Sequence, residues 1–130
     1  MKKFTGILFA LLVSFMFAGC KEKVEIDHPI AGHTYSVYFD TDSGYSIYWI
    51  EFHSNGDFME RWFEHNRYQG DNRGQLGHML WSVEGNEITV RNDNSSMLFP
   101  EYNGKVVYSG FYNPTDSTVT LNEVVYEFQE

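Results

Sequence analysis

The sequence predicts an all-β domain: a single antiparallel up-and-down meander of eight or nine short strands closed as a small barrel, with a sandwich as the alternative. Three observations predict it. Aromatic residues are abundant, with nine Tyr, eleven Phe and three Trp in 130 residues, and such side chains suit a pleated, half-buried surface. After Cys20, turn-forming clusters recur at a spacing of roughly 8 to 12 residues between short alternating runs. No helical period is sustained in that part of the chain.

The chain opens on Lys2 and Lys3, followed by an apolar run from Phe4 to Phe17. That run is too short to span a bilayer comfortably and has the length of a signal-peptide core. It ends in Phe17-Ala18-Gly19-Cys20, and Cys20 is the only cysteine. Small residues directly before a lone cysteine resemble the lipobox of bacterial lipoproteins, although Phe17 stands where leucine is usual. The resemblance implies a signal peptide over 1–19, acyl chains such as palmitate on Cys20, and a lipidated tether over 20–31. Several acyl chains, at roughly 0.8 kcal/mol per buried CH₂, would make a stable membrane anchor. In such lipoproteins Lys21, rather than an aspartate, goes with the outer membrane, with either the periplasmic or the surface face open. The alternative is an ordinary signal peptide followed by an incidental free thiol.

Counted from Cys20, 111 residues remain, enough for one domain with a core. They carry 7 Lys+Arg against 18 Asp+Glu, a net charge of −11. A phosphate backbone would repel that surface, so nucleic-acid binding is disfavoured, as is adsorption to anionic lipid. Such acidity supports solubility, or a basic partner.

Within 32–130 the first strand runs from His33 to Phe39, alternating Tyr35, Val37 and Phe39 with polar neighbours. Asp40 to Gly44 reads as a turn. Tyr45 to Phe63 holds two strongly β-forming runs around Ser54-Asn55-Gly56. Residues 67–77, with three glycines and mixed charge, read as a long mobile loop before a strand from Met79 to Val83. Glu84-Gly85-Asn86 turns the chain into a strand carrying Ile88 and Val90. A weaker strand covers Ser96 to Phe99, another Lys105 to Tyr112, and a closing hairpin joins Thr118–Leu121 to Val124–Phe128 across Asn122-Glu123.

The register of the Tyr45–Phe63 hairpin follows from charge and turn chemistry. A two-residue Asn55-Gly56 turn would set Glu51 opposite Glu60, two like charges. A three-residue Ser54-Asn55-Gly56 loop with a left-handed Gly56 avoids this. It pairs Phe52 with Phe58, Ile50 with Glu60 and Tyr48 with Trp62 on an inward face. The outward face then pairs Trp49 with Arg61, a cation–π arrangement, and Ile47 with Phe63. Glu60 is thereby aimed at the interior, either bonded to a tyrosine hydroxyl or marking the polar end of a pocket. Ile47, Trp49, Arg61 and Phe63 make an outer patch for a partner, unless the tether or the 67–77 loop covers it.

The order Phe52-His53-Ser54-Asn55-Gly56-Asp57-Phe58, then Trp81 to Val90, then a final Leu121 to Phe128 hairpin resembles bacterial lipoproteins with a lipocalin-like domain. The resemblance covers most of 32–130 and rests on turn and core patterns, so it implies a fold and carries no catalytic residues. The Gly-x-Trp of the longer lipocalin signature is absent; Gly32-His33-Thr34-Tyr35 stands in its place.

Chemical motifs are sparse. Asp40 and Asp42 have the spacing of the start of a calcium loop, but the remaining ligands are missing and a β-turn explains them equally well. The five histidines show no metal-ligand spacing. No Gly-x-Ser-x-Gly occurs, and carboxylates such as Glu60 and Glu64 are too common here to nominate a glycosidase. Asp116-Ser117-Thr118 resembles a short O-glycosylation sequon at Ser117; a solvated turn is its ordinary reading. No cofactor is called for. The expectation is a lipid-anchored, non-enzymatic cell-envelope protein that binds another protein through the outer aromatic surface. The alternative is a small apolar ligand in the barrel interior, among Tyr48, Ile50, Phe52, Phe58, Glu60 and Trp62.

Overall fold

A computed structural model describes residues 25–93 and 100–129. The loop at Ser54-Asn55-Gly56 sets the pattern for the rest. Gly56 sits at φ 97°, a left-handed conformation open to glycine at no steric cost. Its N–H donates to the His53 carbonyl at 3.0 Å, and the His53 N–H to the Asp57 carbonyl at 2.9 Å. The two flanking strands, β2 (Gly44–Phe52) and β3 (Asp57–Asn66), therefore pair Phe52 with Phe58, Ile50 with Glu60, Tyr48 with Trp62 and Trp49 with Arg61.

Six further strands complete the sheet: β1 (His33–Thr41), β4 (Gly70–Glu84), β5 (Glu87–Asn92), β6 (Val106–Asn113), β7 (Thr118–Leu121) and β8 (Val124–Gln129). Each pairs antiparallel with the next, and β8 returns to β1 by matching Tyr35 with Phe128. The result is a closed, eight-stranded antiparallel barrel, which leaves no open sheet edge along its closure. The sandwich alternative does not occur.

Two expectations about local structure are corrected. Residues 70–77 belong to β4, a strand of 15 residues, and only 67–69 form a turn. Their glycines and charges read as loop, but the ladder from Arg61–Gln75 to Asn66–Gly70 satisfies the backbone regardless of propensity. The Asp40–Gly44 turn is also tighter than expected, because β1 continues to Thr41 and pairs it with Gly44. The expected strand at Ser96 to Phe99 lies outside the described residues.

Inward positions build the core. Tyr35, Ile50, Phe52, Phe58, Trp81, Ile88, Val90, Val119 and Leu121 are all buried. Rings meet edge to face, with Phe52 5.3 Å from Phe58 and 5.1 Å from Trp81. The Trp81 indole N–H donates to the His53 carbonyl at 2.7 Å, tying β4 to the β2–β3 loop.

The barrel has two unlike ends. One carries the β2–β3, β4–β5 and β6–β7 turns, and there the segment read as tether is part of the packed body from Ile26 onward. The Ile26 N–H donates to the Ser54 carbonyl at 2.7 Å and the Gly32 N–H to the Phe52 carbonyl at 2.6 Å. The His28 ring donates to the Gly85 carbonyl at 2.9 Å and stands edge-on to Tyr112. Between them Ile30 is fully buried, a stopper in that end. Burying one such side chain contributes about 1.5–3 kcal/mol, which is why an isolated isoleucine in a charged stretch can hold the segment down. The other end, carrying the β1–β2, β3–β4 and β7–β8 turns, is a mouth.

Candidate functional site

Strand alternation sorts the residues of interest onto two faces. On the outer face of β1–β4, cross-strand rows run Ser36–Trp49–Arg61–Gln75 and Tyr38–Ile47–Phe63–Arg73, followed by Asp40–Tyr45–His65–Asp71. Aromatic rings tile these rows. Tyr38 stacks on Tyr45 at 5.5 Å, Tyr45 lies 6.0 Å from Phe63 and 5.3 Å from His65. Two guanidinium groups cap the rings, Arg61 over Trp49 at 5.7 Å and Arg73 over Phe63 at 6.0 Å. Arg61 also donates to Glu51 at 3.2 Å, and His65 contacts Asp71 at 2.6 Å. Among the described residues no carboxylate pairs with Arg73.

A recess of about 450 Å³ lies on this face, lined by Trp49, Arg61, Trp62, Phe63, Arg73, Gly74 and Gln75. Gly74 pairs with Trp62 in the β3–β4 register, so both point to the inner face behind this recess. A Cβ at this position would lie 2.5 Å from the Trp62 ring, so the indole rests directly against a strand with no side chain there. The four residues expected to form the outer patch, Ile47, Trp49, Arg61 and Phe63, share this surface. Sequence reasoning missed Tyr38, Tyr45 and Arg73. The first two follow from register, whereas Arg73 was hidden in the stretch read as loop.

On the inner face Tyr48, Ile50, Phe52, Phe58, Glu60 and Trp62 occupy successive positions of β2 and β3. Ile50, Phe52 and Phe58 belong to the filled lower half, with exposures of 0–1%. Glu60 is 6% exposed, the one buried charged side chain among the described residues. Tyr108, across the lumen on β6, donates its hydroxyl to Glu60 Oε2 at 2.7 Å. Both alternatives for Glu60 meet here, because the same side chain lines a recess of about 410 Å³ at the mouth with Phe39, Thr41, Ser46, Tyr48, Val124 and Tyr126.

The tyrosines register this environment. Burial first, and then the Glu60 charge and Tyr48, push the Tyr126 hydroxyl up to about 12. Tyr108 is likewise pushed up, by burial, then by its hydrogen bond to Glu60 and that carboxylate's charge. Both hydroxyls thus stay neutral donors across ordinary pH.

Compared with protein-family models, with curated proteins and with solved structures, the chain matches none. The remaining sequence candidates fall elsewhere. Asp40 accepts from the Tyr38 hydroxyl at 2.8 Å on the outer face. No group of three or more His, Cys, Asp or Glu side chains among the described residues could hold a metal ion. Ser117 is exposed in the β6–β7 turn at the closed end, with φ 54°. Cys20 lies outside the described residues.

Proposed function

We propose that this chain is a lipid-anchored, non-enzymatic cell-envelope protein that docks another protein on the outer face of β1–β4. The observation that carries the reading is the tiled aromatic surface with Arg61 and Arg73 laid over it. Arg61 on this face is paired with Glu51, whereas Arg73 lies over Phe63 with no carboxylate partner among the described residues, so the surface offers one cationic contact beside half-buried rings and suits a partner segment that sets a carboxylate beside apolar side chains. Aromatic residues and arginine are the side chains that most often dominate binding energy at such surfaces.

The anchor would fix the orientation. From Cys20 to Glu25 the chain reaches at most roughly 18 Å, and from Ile26 it is bound to the closed end. An acylated Cys20 would hold that end near the membrane and turn the mouth away from it. The β1–β4 face would then stand upright, accessible from the side.

Photo-crosslinking in intact cells tests the docking. A photoreactive residue at Gln75 should trap a defined protein, one at Val125 on the far side of the barrel should not, and Arg73→Glu should abolish the adduct. Equal adducts from both faces, or none, would refute the reading. Cys20→Ser tests the anchor by the loss of incorporated labelled palmitate.

A further inference from the structure

The geometry points to a second binding site, separate from the outer face: the barrel mouth takes a small organic cation, an ammonium group carrying an apolar body, held by Glu60 within the rings of Phe39, Tyr48 and Tyr126. The recess there holds about 410 Å³, and more than nine-tenths of Glu60 is buried in its floor.

Three features argue for this occupant. Glu60 Oε2 is held by Tyr108, and among the described residues no Lys, Arg or His pairs with the carboxylate. A buried anion without a counter-charge is costly, and an incoming cation removes that cost. The walls are aromatic, with Phe39 edge-on to Tyr48 at 5.9 Å, and ring faces attract alkylammonium groups without needing hydrogen bonds. Phe39 remains 41% exposed at the rim, apolar surface that an occupant's body would cover. A metal ion is a poor fit, since one carboxylate supplies too few ligands. Fatty acids and other anions meet the Glu60 charge directly. A wholly apolar molecule would leave the carboxylate uncompensated.

The test uses the full chain in a maltoside detergent, free of ammonium headgroups, with NMR of ring-labelled tyrosine. Choline is the probe, and 3,3-dimethylbutan-1-ol, which replaces its quaternary nitrogen by carbon, is the neutral isostere. Choline should shift the Tyr48 and Tyr126 ring signals saturably below about 10 mM. The isostere should bind roughly tenfold or more weakly. Glu60→Gln, which keeps an acceptor for Tyr108, should lose choline by a similar factor. Equal binding of the isostere, undiminished binding by Glu60→Gln, or no saturable shift with choline would each overturn the proposal. Should Glu60→Gln fail to fold, the comparison of choline with its isostere decides alone. The outer-face reading is independent, because Arg73→Glu should leave these shifts unchanged.

Discussion

Tyr108 on β6 donates its hydroxyl to Glu60 on β3 at 2.7 Å, spanning the lumen between two strands that are not neighbours in the sheet. The bond joins opposite walls at the level where the filled half of the barrel gives way to the mouth. Tyr108→Phe removes the donor and leaves a buried carboxylate short of a partner, which should cost about 1–3 kcal/mol. Urea unfolding of the two proteins measures it. A change within a few tenths of a kcal/mol would show that the bond matters little to stability.

The closed end depends on Ile30 in the same way. Ile30→Ala empties a fully buried site and should lower stability by about 2–5 kcal/mol. Hydrogen exchange should locate the loss, with faster exchange at the Ile26 and Gly32 amides, which donate to Ser54 and Phe52. Wild-type stability in the variant would mean that the N-terminal segment merely rests on the barrel.

Gly74 offers a local optical readout. A methyl group at this position meets the Trp62 ring at 2.5 Å, so Gly74→Ala must displace the indole. Overpacking of this kind typically costs about 1–3 kcal/mol. The expected signature is a shifted tryptophan emission together with a lower urea midpoint. Unchanged emission would place Trp62 away from this strand.

Alkali should weaken the fold in a defined window. Tyr35 and Tyr126 are both pushed up to about 12, by burial first and then by Tyr112 for Tyr35 and by Glu60 for Tyr126. In the unfolded chain each titrates near 10. The neutral phenol is therefore favoured in the native state. Its contribution is complete below about pH 10 and is lost as pH rises through about 12, because the unfolded chain releases these protons first. Urea midpoints should be flat up to about pH 9 and fall beyond about pH 10. Tyrosinate absorbance should show these buried phenols ionising together with unfolding. An unchanged midpoint at about pH 11 would contradict the burial argument.

Much of this architecture is legible in the residues. The β2–β3 register follows from turn chemistry and from keeping Glu51 and Glu60 apart, and the pairing it gives, with Ile50, Phe52, Phe58 and Glu60 buried, is the one observed. That a tyrosine would bond Glu60 is also readable. Which one is not, because Tyr108 lies 48 positions away and barrel closure alone brings it across. The first half of β4 was illegible for a different reason. Gly70-Asp71-Asn72-Arg73-Gly74 carries loop composition, and its strand form is imposed by pairing with β3. Ile30 was hidden likewise, since a single apolar residue beside Pro29 has no periodicity to reveal it.

The stopper at Ile30 also decides how the molecule bears load. Were Cys20 acylated as proposed, tension on the N-terminus would enter at the Ile26–Ser54 hydrogen bond and pass to Ile30 before it reached β1. Such a pull would load Ile30 together with the His28–Gly85 and Gly32–Phe52 hydrogen bonds before the strand ladder. Residues 26–32 released from the closed end would lengthen the segment ahead of β1 by up to roughly 25 Å while the barrel ladder stayed closed.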